Sequence, residues 1–313
     1  MPSTRARASP KPSGEPGSRV LINDAYATCQ RLARRHYENF PVASWLMPAD
    51  ARPHIAAIYA FARIADDFAD EGAREAGDRL ALLADWQRRL DEAAEGRVVL
   101  VGHPEHDAVC VALTETLRGS AADHGLLSDL LSAFRQDVTT KRYETWAEVL
   151  DYCRRSANPV GRLVLLVTGY RDEALARRSD AVCTALQLTN FWQDLARDWR
   201  NGRLYIPLEV ARHHGAQLVD LDHGNWTPGW RAALADVGAR TQALFTEGRP
   251  VADNVRGRLR WELRATWLGG RRILDRLTAA DYDVFRTRPS LDWRDAAGIA
   301  AGAVTWQRSR VTS

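Results

Sequence analysis

The chain has 313 residues, 45% of them hydrophobic and 27% charged, the proportions of an ordinary globular protein, which excludes a disordered or collagen-like chain. No apolar run nears the roughly 18–20 residues that a membrane-spanning helix requires. The formal net charge of +3 belongs to the N-terminal stretch, where Arg5, Arg7, Lys11 and Arg19 face Glu15 alone, and a body so balanced argues against nucleic acid as its main partner.

Residues 1–18, rich in Pro, Ser, Gly and Arg without an apolar segment, read as a disordered basic tail rather than a secretory signal. Such a tail either touches anionic lipid head groups or stays solvated. From about residue 20 apolar residues recur at three- and four-residue intervals, and alternating runs are scarce. The spacing predicts helices over 53–70, 74–94, 105–118, 122–138, 145–155, 159–168, 173–200, 227–247, 251–278 and 291–303, with breaks at Gly and Pro clusters between them. No linker or fixed-period repeat interrupts residues 19–305, and 306–313 read as a short C-terminal tail. The expectation is one all-α domain of roughly ten helices around a central cavity. Cys29, Cys110, Cys153 and Cys183 are widely spaced and form no CxxC pair. They read as reduced, mostly buried thiols of a cytoplasmic protein.

Two acidic patches stand out. In the first, Arg63-Ile-Ala-Asp66-Asp67-Phe-Ala-Asp70, a helix puts Arg63, Asp66 and Asp70 on one face. In the second, Asn190, Asp194 and Asp198 step by four with Gln187 three before, while Leu188, Trp192, Leu195 and Trp199 make a separate apolar stripe. A solvated face with ion pairs one turn apart is the bland explanation of the first patch. It suits the second less well, because like charges four residues apart repel. An amide–carboxylate–carboxylate row matches a hard divalent cation with oxygen ligands, and Mg²⁺ in particular binds through one or two carboxylates plus substrate phosphates. No histidine or cysteine cluster offers a zinc alternative.

These motifs and their surroundings resemble the squalene/phytoene synthases. Arg63, Asp66 and Asp70 match the family's first aspartate motif, with Asp67 between, and Asn190, Asp194 and Asp198 match the second, with the usual glutamine at Gln187. His36 matches the family's active-site histidine, Tyr152-Cys153 its tyrosine before a broken helix, and Gly202-Arg-Leu-Tyr205-Ile-Pro207 the stretch after the second motif. The resemblance covers residues 20 to about 290 and implies the all-α isoprenoid synthase fold. Residues 36–44, 156–162 and 183–194 are most similar to the hydroxysqualene-forming branch of bacterial hopanoid pathways. Members of that branch take presqualene diphosphate, made by a sister enzyme, and release hydroxysqualene. Glu38 stands where condensing members carry a lysine, which weakens the case for holding a second allylic diphosphate.

The resemblance implies more than one Mg²⁺ ion at Asp66, Asp67, Asp70, Asn190, Asp194 and Asp198, and no NAD(P)H. Arg63 would contact the diphosphate, or else pair with Asp66 or Asp67 on its own helix. Phe40, Tyr59, Phe61, Phe191 and Trp192 offer aromatic faces to a carbocation, and Gln187 and Tyr205 join the substrate-binding set. His36, Tyr152 or Asn158 would orient the capturing water, with a core histidine as the alternative for His36. A long hydrocarbon substrate implies peripheral contact with the inner membrane face and a working relation with the presqualene diphosphate synthase. The competing readings are another head-to-head synthase and a non-catalytic helical assembly factor.

Overall fold

The computed structural model describes residues 16–35, 46–120 and 122–307. Among them are thirteen α-helices and one 3₁₀ turn, with a single isolated β-bridge. The helices are α1 (Pro16–Arg35), α2 (Arg52–Asp70), α3 (Ala76–Ala94), α4 (Pro104–Gly119), α5 (His124–Thr139), α6 (Trp146–Ser156) and α7 (Asn158–Val167). They continue with α8 (Glu173–Arg200), α9 (Leu208–His213), α10 (Leu218–Asp222), α11 (Pro228–Gly248), α12 (Gly257–Ala279) and α13 (Trp293–Val304). None is long and apolar enough to cross a membrane.

Local chemistry sets the helix ends. Proline opens α2, α4 and α11 in the first turn, where its missing N–H costs nothing. Thr145 with Glu148 and Asp292 with Asp295 form reciprocal capping boxes that start α6 and α13, satisfying two otherwise orphaned donors each. α8, with 28 residues, is the central strut and spans about 42 Å at 1.5 Å per residue.

Two apolar cores flank the middle of the molecule. The first joins α1 to α5, with Phe61 stacked on Trp86 at 5.2 Å between ring centroids. The second surrounds α8 and α11, where Trp192, Trp230 and Phe245 are fully buried. α8 and α11 approach closely at Gly248, whose added Cβ would lie 2.7 Å from the Arg178 carbonyl oxygen and 2.8 Å from the Val182 nitrogen.

The helix count exceeds the expected ten for identifiable reasons. α9 and α10, of six and five residues, are too short to show a periodic signal. The stretch 251–278, expected as one helix, is divided: residues 249–253 form the 3₁₀ turn, and Gly257 restarts the chain at φ +63°. The apolar spacing runs through this break because Val251, Val255 and Leu259 all enter a third small core. At the N-terminus α1 begins at Pro16, within the stretch read as tail. At the other end Trp306 donates to Asp253 at 2.9 Å and lies 4.2 Å beneath the Arg249 guanidinium, so the docked chain runs past residue 305. His36, Glu38 and Phe40 lie outside the described residues, as do residues 1–15 and 308–313.

Candidate active site

The site begins where α2 ends. Asp66 and Asp70 lie on its last turn, and Arg63, one turn earlier, donates to Asp66 at 2.9 Å and pairs with Glu71 at 2.8 Å as well as with Asp67. Its guanidinium is thus engaged within its own segment. Tyr59 stands one turn before Arg63, and burial beside this charged group raises its phenol.

The second patch belongs to the C-terminal part of α8. Asp194 is buried, Asp198 and Gln187 are half-buried and Asn190 is exposed. After α8 the chain turns at Gly202, φ +77°, and runs beside residues 141–144. The Leu204 N–H donates to the Lys141 carbonyl at 2.9 Å, and the Leu208 N–H to that of Tyr143 at 3.0 Å. This pairing carries Arg203 across to α2, where its guanidinium takes both oxygens of Asp70, one contact at 3.1 Å. Arg203, whose backbone N–H donates to the Asp198 carbonyl at 2.8 Å, thus ties the end of the second motif to the first, and Asp198 feels the charge of Asp70. Asp194 is held likewise by Arg288, from the loop between α12 and α13, with contacts of 2.5 and 3.2 Å.

A further carboxylate, which no motif singles out, lies beside Asp66 and Asp70. Asp137, near the end of α5, accepts a hydrogen bond from the Tyr152 hydroxyl at 2.8 Å. Burial pushes Asp137 up to about 7, with the charges of Asp70 and Asp66 adding to it and the Tyr152 bond and Arg203 opposing. Burial likewise raises Asp198 to about 7, with help from Asp194, and Asp66 to about 6, where Asp70 and Asp67 repel it. Asp66 is 40% exposed to water yet enclosed by protein on its other sides, as a carboxylate at a cleft mouth should be.

Beneath the carboxylates lies an aromatic nest. Phe191 and Tyr205 stack in parallel at 3.8 Å, with Tyr152 6.0 Å from Phe191 and Tyr143 5.7 Å from Tyr205. Burial raises all three tyrosine hydroxyls. All four rings are buried members of the second core, as is Trp192, whose indole N–H donates to Thr241 at 2.9 Å, while Phe61 stacks on Trp86 in the first. Asn158 opens α7, and its amide oxygen accepts from Thr184 of α8 at 2.8 Å, which ties it to the helix of the second motif rather than to the carboxylates. Beside Asp70 a pocket of about 200 Å³ is lined by Arg79, Lys141 and Arg203, three cations around one carboxylate.

Sequence reasoning misses Asp137, Arg203 and Arg288 as site residues. Arg203 lies within the matched Gly202–Pro207 stretch and is legible there. Asp137 and Arg288 are single charges on an amphipathic helix and in a loop, and only tertiary contacts distinguish them.

The donors converging on the cleft are oxygen atoms. Among the described residues no three Asp, Glu, His or Cys side chains form a ready-made cage. Carboxylates raised by burial and mutual repulsion are short of positive charge, which fits a hard cation that completes its shell with phosphate and water.

An all-α bundle with two aspartate-bearing helices linked through Arg203 beside a buried aromatic cluster has the build of the isoprenoid synthase class. The chain belongs to the squalene/phytoene synthase family, whose profile matches residues 33–295. It is 41% identical to a hydroxysqualene synthase of Zymomonas mobilis over 66% of this chain and 67% of that protein, and 38% identical to one of Rhodopseudomonas palustris over 70% and 72%. The crystal structure of squalene synthase HpnC from Alicyclobacillus acidocaldarius superposes with a TM-score of 0.78 at 38% identity, covering 85% of this chain and 98% of that one.

Proposed function

We propose that this protein is a hydroxysqualene synthase that converts presqualene diphosphate and water into hydroxysqualene, diphosphate and a proton. The observation that supports the reading is Arg203, just after the second aspartate motif, holding Asp70 of the first, in a chain at 41% identity to a hydroxysqualene synthase.

Breaking the substrate C–O bond requires that the leaving charge be neutralised where water is scarce. Asp66, Asp70, Asn190, Asp194 and Asp198 would hold Mg²⁺, with Asp67 beside them. Bound there, the metal supplies charge neutralisation for the departing diphosphate. Arg203, Lys141 and Arg79 line the pocket next to Asp70 and offer donors to the phosphate oxygens, with Arg63 behind them. Tyr152, Phe191 and Tyr205 present π faces to the carbocation while it rearranges. Tyr59, Phe40 and Gln187 complete the substrate wall. The water that ends the reaction forms a C–O bond and loses a proton. His36, Tyr152 or Asn158 would orient it, and burial keeps the Tyr152 phenol protonated. A hydrocarbon substrate this long resides in membranes, so we place the protein in peripheral contact with a bilayer, next to the enzyme that makes its substrate. Failure to pellet with anionic liposomes would remove that placement.

The test is incubation with presqualene diphosphate and Mg²⁺ in ¹⁸O water without NADPH. A C30 alcohol carrying ¹⁸O is expected. Turnover that waits for NADPH and gives squalene, or that needs farnesyl diphosphate, would move the protein to the reductive or condensing branch.

A further inference from the structure

Each aspartate motif contains one carboxylate gripped at both oxygens by an arginine from outside it. Arg203 places Nη1 and Nη2 on the two oxygens of Asp70, and Arg288 places Nε and Nη2 on those of Asp194. The other carboxylates are held differently. Asp66 receives one Arg63 contact within α2, and Asp198 senses Asp194, Arg203, Arg197 and Asp70 only through space. The forked arginines are thus distributed one per motif.

The Asp194 side chain is only 10% exposed, whereas Arg288 is 48% exposed. A carboxylate that deep needs a cationic partner at all times. Arg288 arrives on a strap: Gln193 donates to the Pro289 carbonyl at 2.5 Å, and Arg276 reaches the Ser290 carbonyl. With both oxygens in a bidentate fork, each carboxylate already has its charge neutralised and two of its lone pairs taken, which weakens its hold on a divalent cation until the guanidinium leaves. A guanidinium leaves such a partner readily only for another oxyanion.

We propose that Arg203 and Arg288 are place-holders for the divalent cations. In the empty protein they neutralise Asp70 and Asp194; on loading they pass to phosphate oxygens as the cations take over those carboxylates. Cation and diphosphate then bind as a pair, each supplying what the other's arrival displaces. This rests on the reading of the cleft as a metal–diphosphate site.

The experiment measures Mn²⁺ binding to the full chain by the electron paramagnetic resonance of free Mn²⁺, without diphosphate. Inorganic pyrophosphate is then titrated at saturating Mg²⁺. Arg288→Lys and Arg203→Lys keep the charge but lose the fork. They are expected to bind Mn²⁺ alone about tenfold more tightly than wild type, a coupling of ordinary allosteric size, and to bind pyrophosphate several-fold more weakly. Arg271→Gln, which removes a charge from a surface pair with Asp275 on α12, should leave both affinities unchanged. Wild-type Mn²⁺ affinity in the two lysine variants, with pyrophosphate still bound by the wild type, overturns the place-holder role alone. A wild type that binds neither probe overturns the site reading with it. Thermal melting checks that each variant is folded, and if Arg288→Lys is not, Arg203→Lys decides the matter by the same two affinities.

Discussion

The two faces of α8 are built from opposite materials. Toward α11 it presents Leu188, Trp192 and Leu195, all at 2% exposure or less, closed by the Trp192–Thr241 hydrogen bond and the near approach of Gly248. On another face it presents Asn190, Asp194 and Asp198, whose repulsion is relieved chiefly by Arg288 and Arg203 from outside the helix, with Arg197 helping at Asp198. Elsewhere many surface carboxylates are matched within a helical turn. Arg240, one turn away, donates to Asp236 and, with His214, holds its carboxyl below the usual range; Arg154 and Arg155 do the same for Asp151 on their own helix. Burial moves Asp66, Asp137 and Asp198 in the other direction. The back of α8 is closed by packing, and the proposed metal site lies on its front.

The sharpest way to break this contrast is to neutralise the front. Asp194→Asn or Asp198→Asn should lower diphosphate release by roughly 100- to 1,000-fold, the scale of losing one preorganised electrostatic contact at a developing charge. The fold should persist, since both residues lie off the packing stripe. Release rates on presqualene diphosphate, with circular dichroism melts alongside, separate the two effects. Undiminished turnover would remove the residue from the metal site.

The back of the helix should respond the other way. Trp192→Ala empties the centre of the second core and should cost about 3–5 kcal/mol of stability. Gly248→Ala forces a methyl group against the α8 backbone and should cost about 1–3 kcal/mol. Urea melts measure both, and per folded molecule the turnover of each variant should stay near that of the wild type. An equal loss of activity and stability at both faces would mean that the contrast is not one of function.

Much of this contrast is legible in the amino-acid order alone. The i, i+4 spacing separates the row Asn190, Asp194, Asp198 from the stripe Leu188, Trp192, Leu195, and the stripe enters the core as patterning requires. Phe191 and Tyr205, fourteen positions apart, both belong to the expected substrate wall, yet nothing in their spacing signals that they stack on each other. What spacing cannot encode is which distant charge answers a motif. Arg203 reaches Asp70 across 133 positions and Arg288 reaches Asp194 across 94; both contacts exist only after α2, α8 and the α12–α13 loop have converged. Asp137 is hidden for a related reason. It occupies an ordinary position near the end of an amphipathic helix, and its significance comes from Tyr152 of the next helix. The division of 251–278 is invisible to spacing because apolar periodicity continues through a 3₁₀ turn that buries the same stripe.

The smallest effect sharpens the contrast most, because it reads the uncompensated charge itself. Asp66, Asp137 and Asp198 have carboxyls raised by burial to about 6, 7 and 7, above the value of about 4 for an unfolded chain. Between those limits the folded protein binds more protons than the unfolded one, so stability falls as pH rises. The metal-free protein should therefore melt lower at pH 8 than at pH 6, by a few degrees, at roughly 2–4 °C per kcal/mol for a domain somewhat smaller than this one. Mg²⁺ with pyrophosphate should flatten that slope by supplying the missing positive charge. Asp137→Asn removes one buried charge while its amide oxygen still accepts the Tyr152 hydroxyl. It should raise the pH 8 melting temperature by about 1–3 °C and leave the pH 5 value nearly unchanged. Aspartates on the outer faces, lowered by their arginines, predict the opposite: Asp236→Asn should destabilise at pH 8, where the ion pair with Arg240 is fully charged, and have little effect near pH 3. A pH slope that survives Asp137→Asn without change would assign the titration to Asp66 and Asp198 alone.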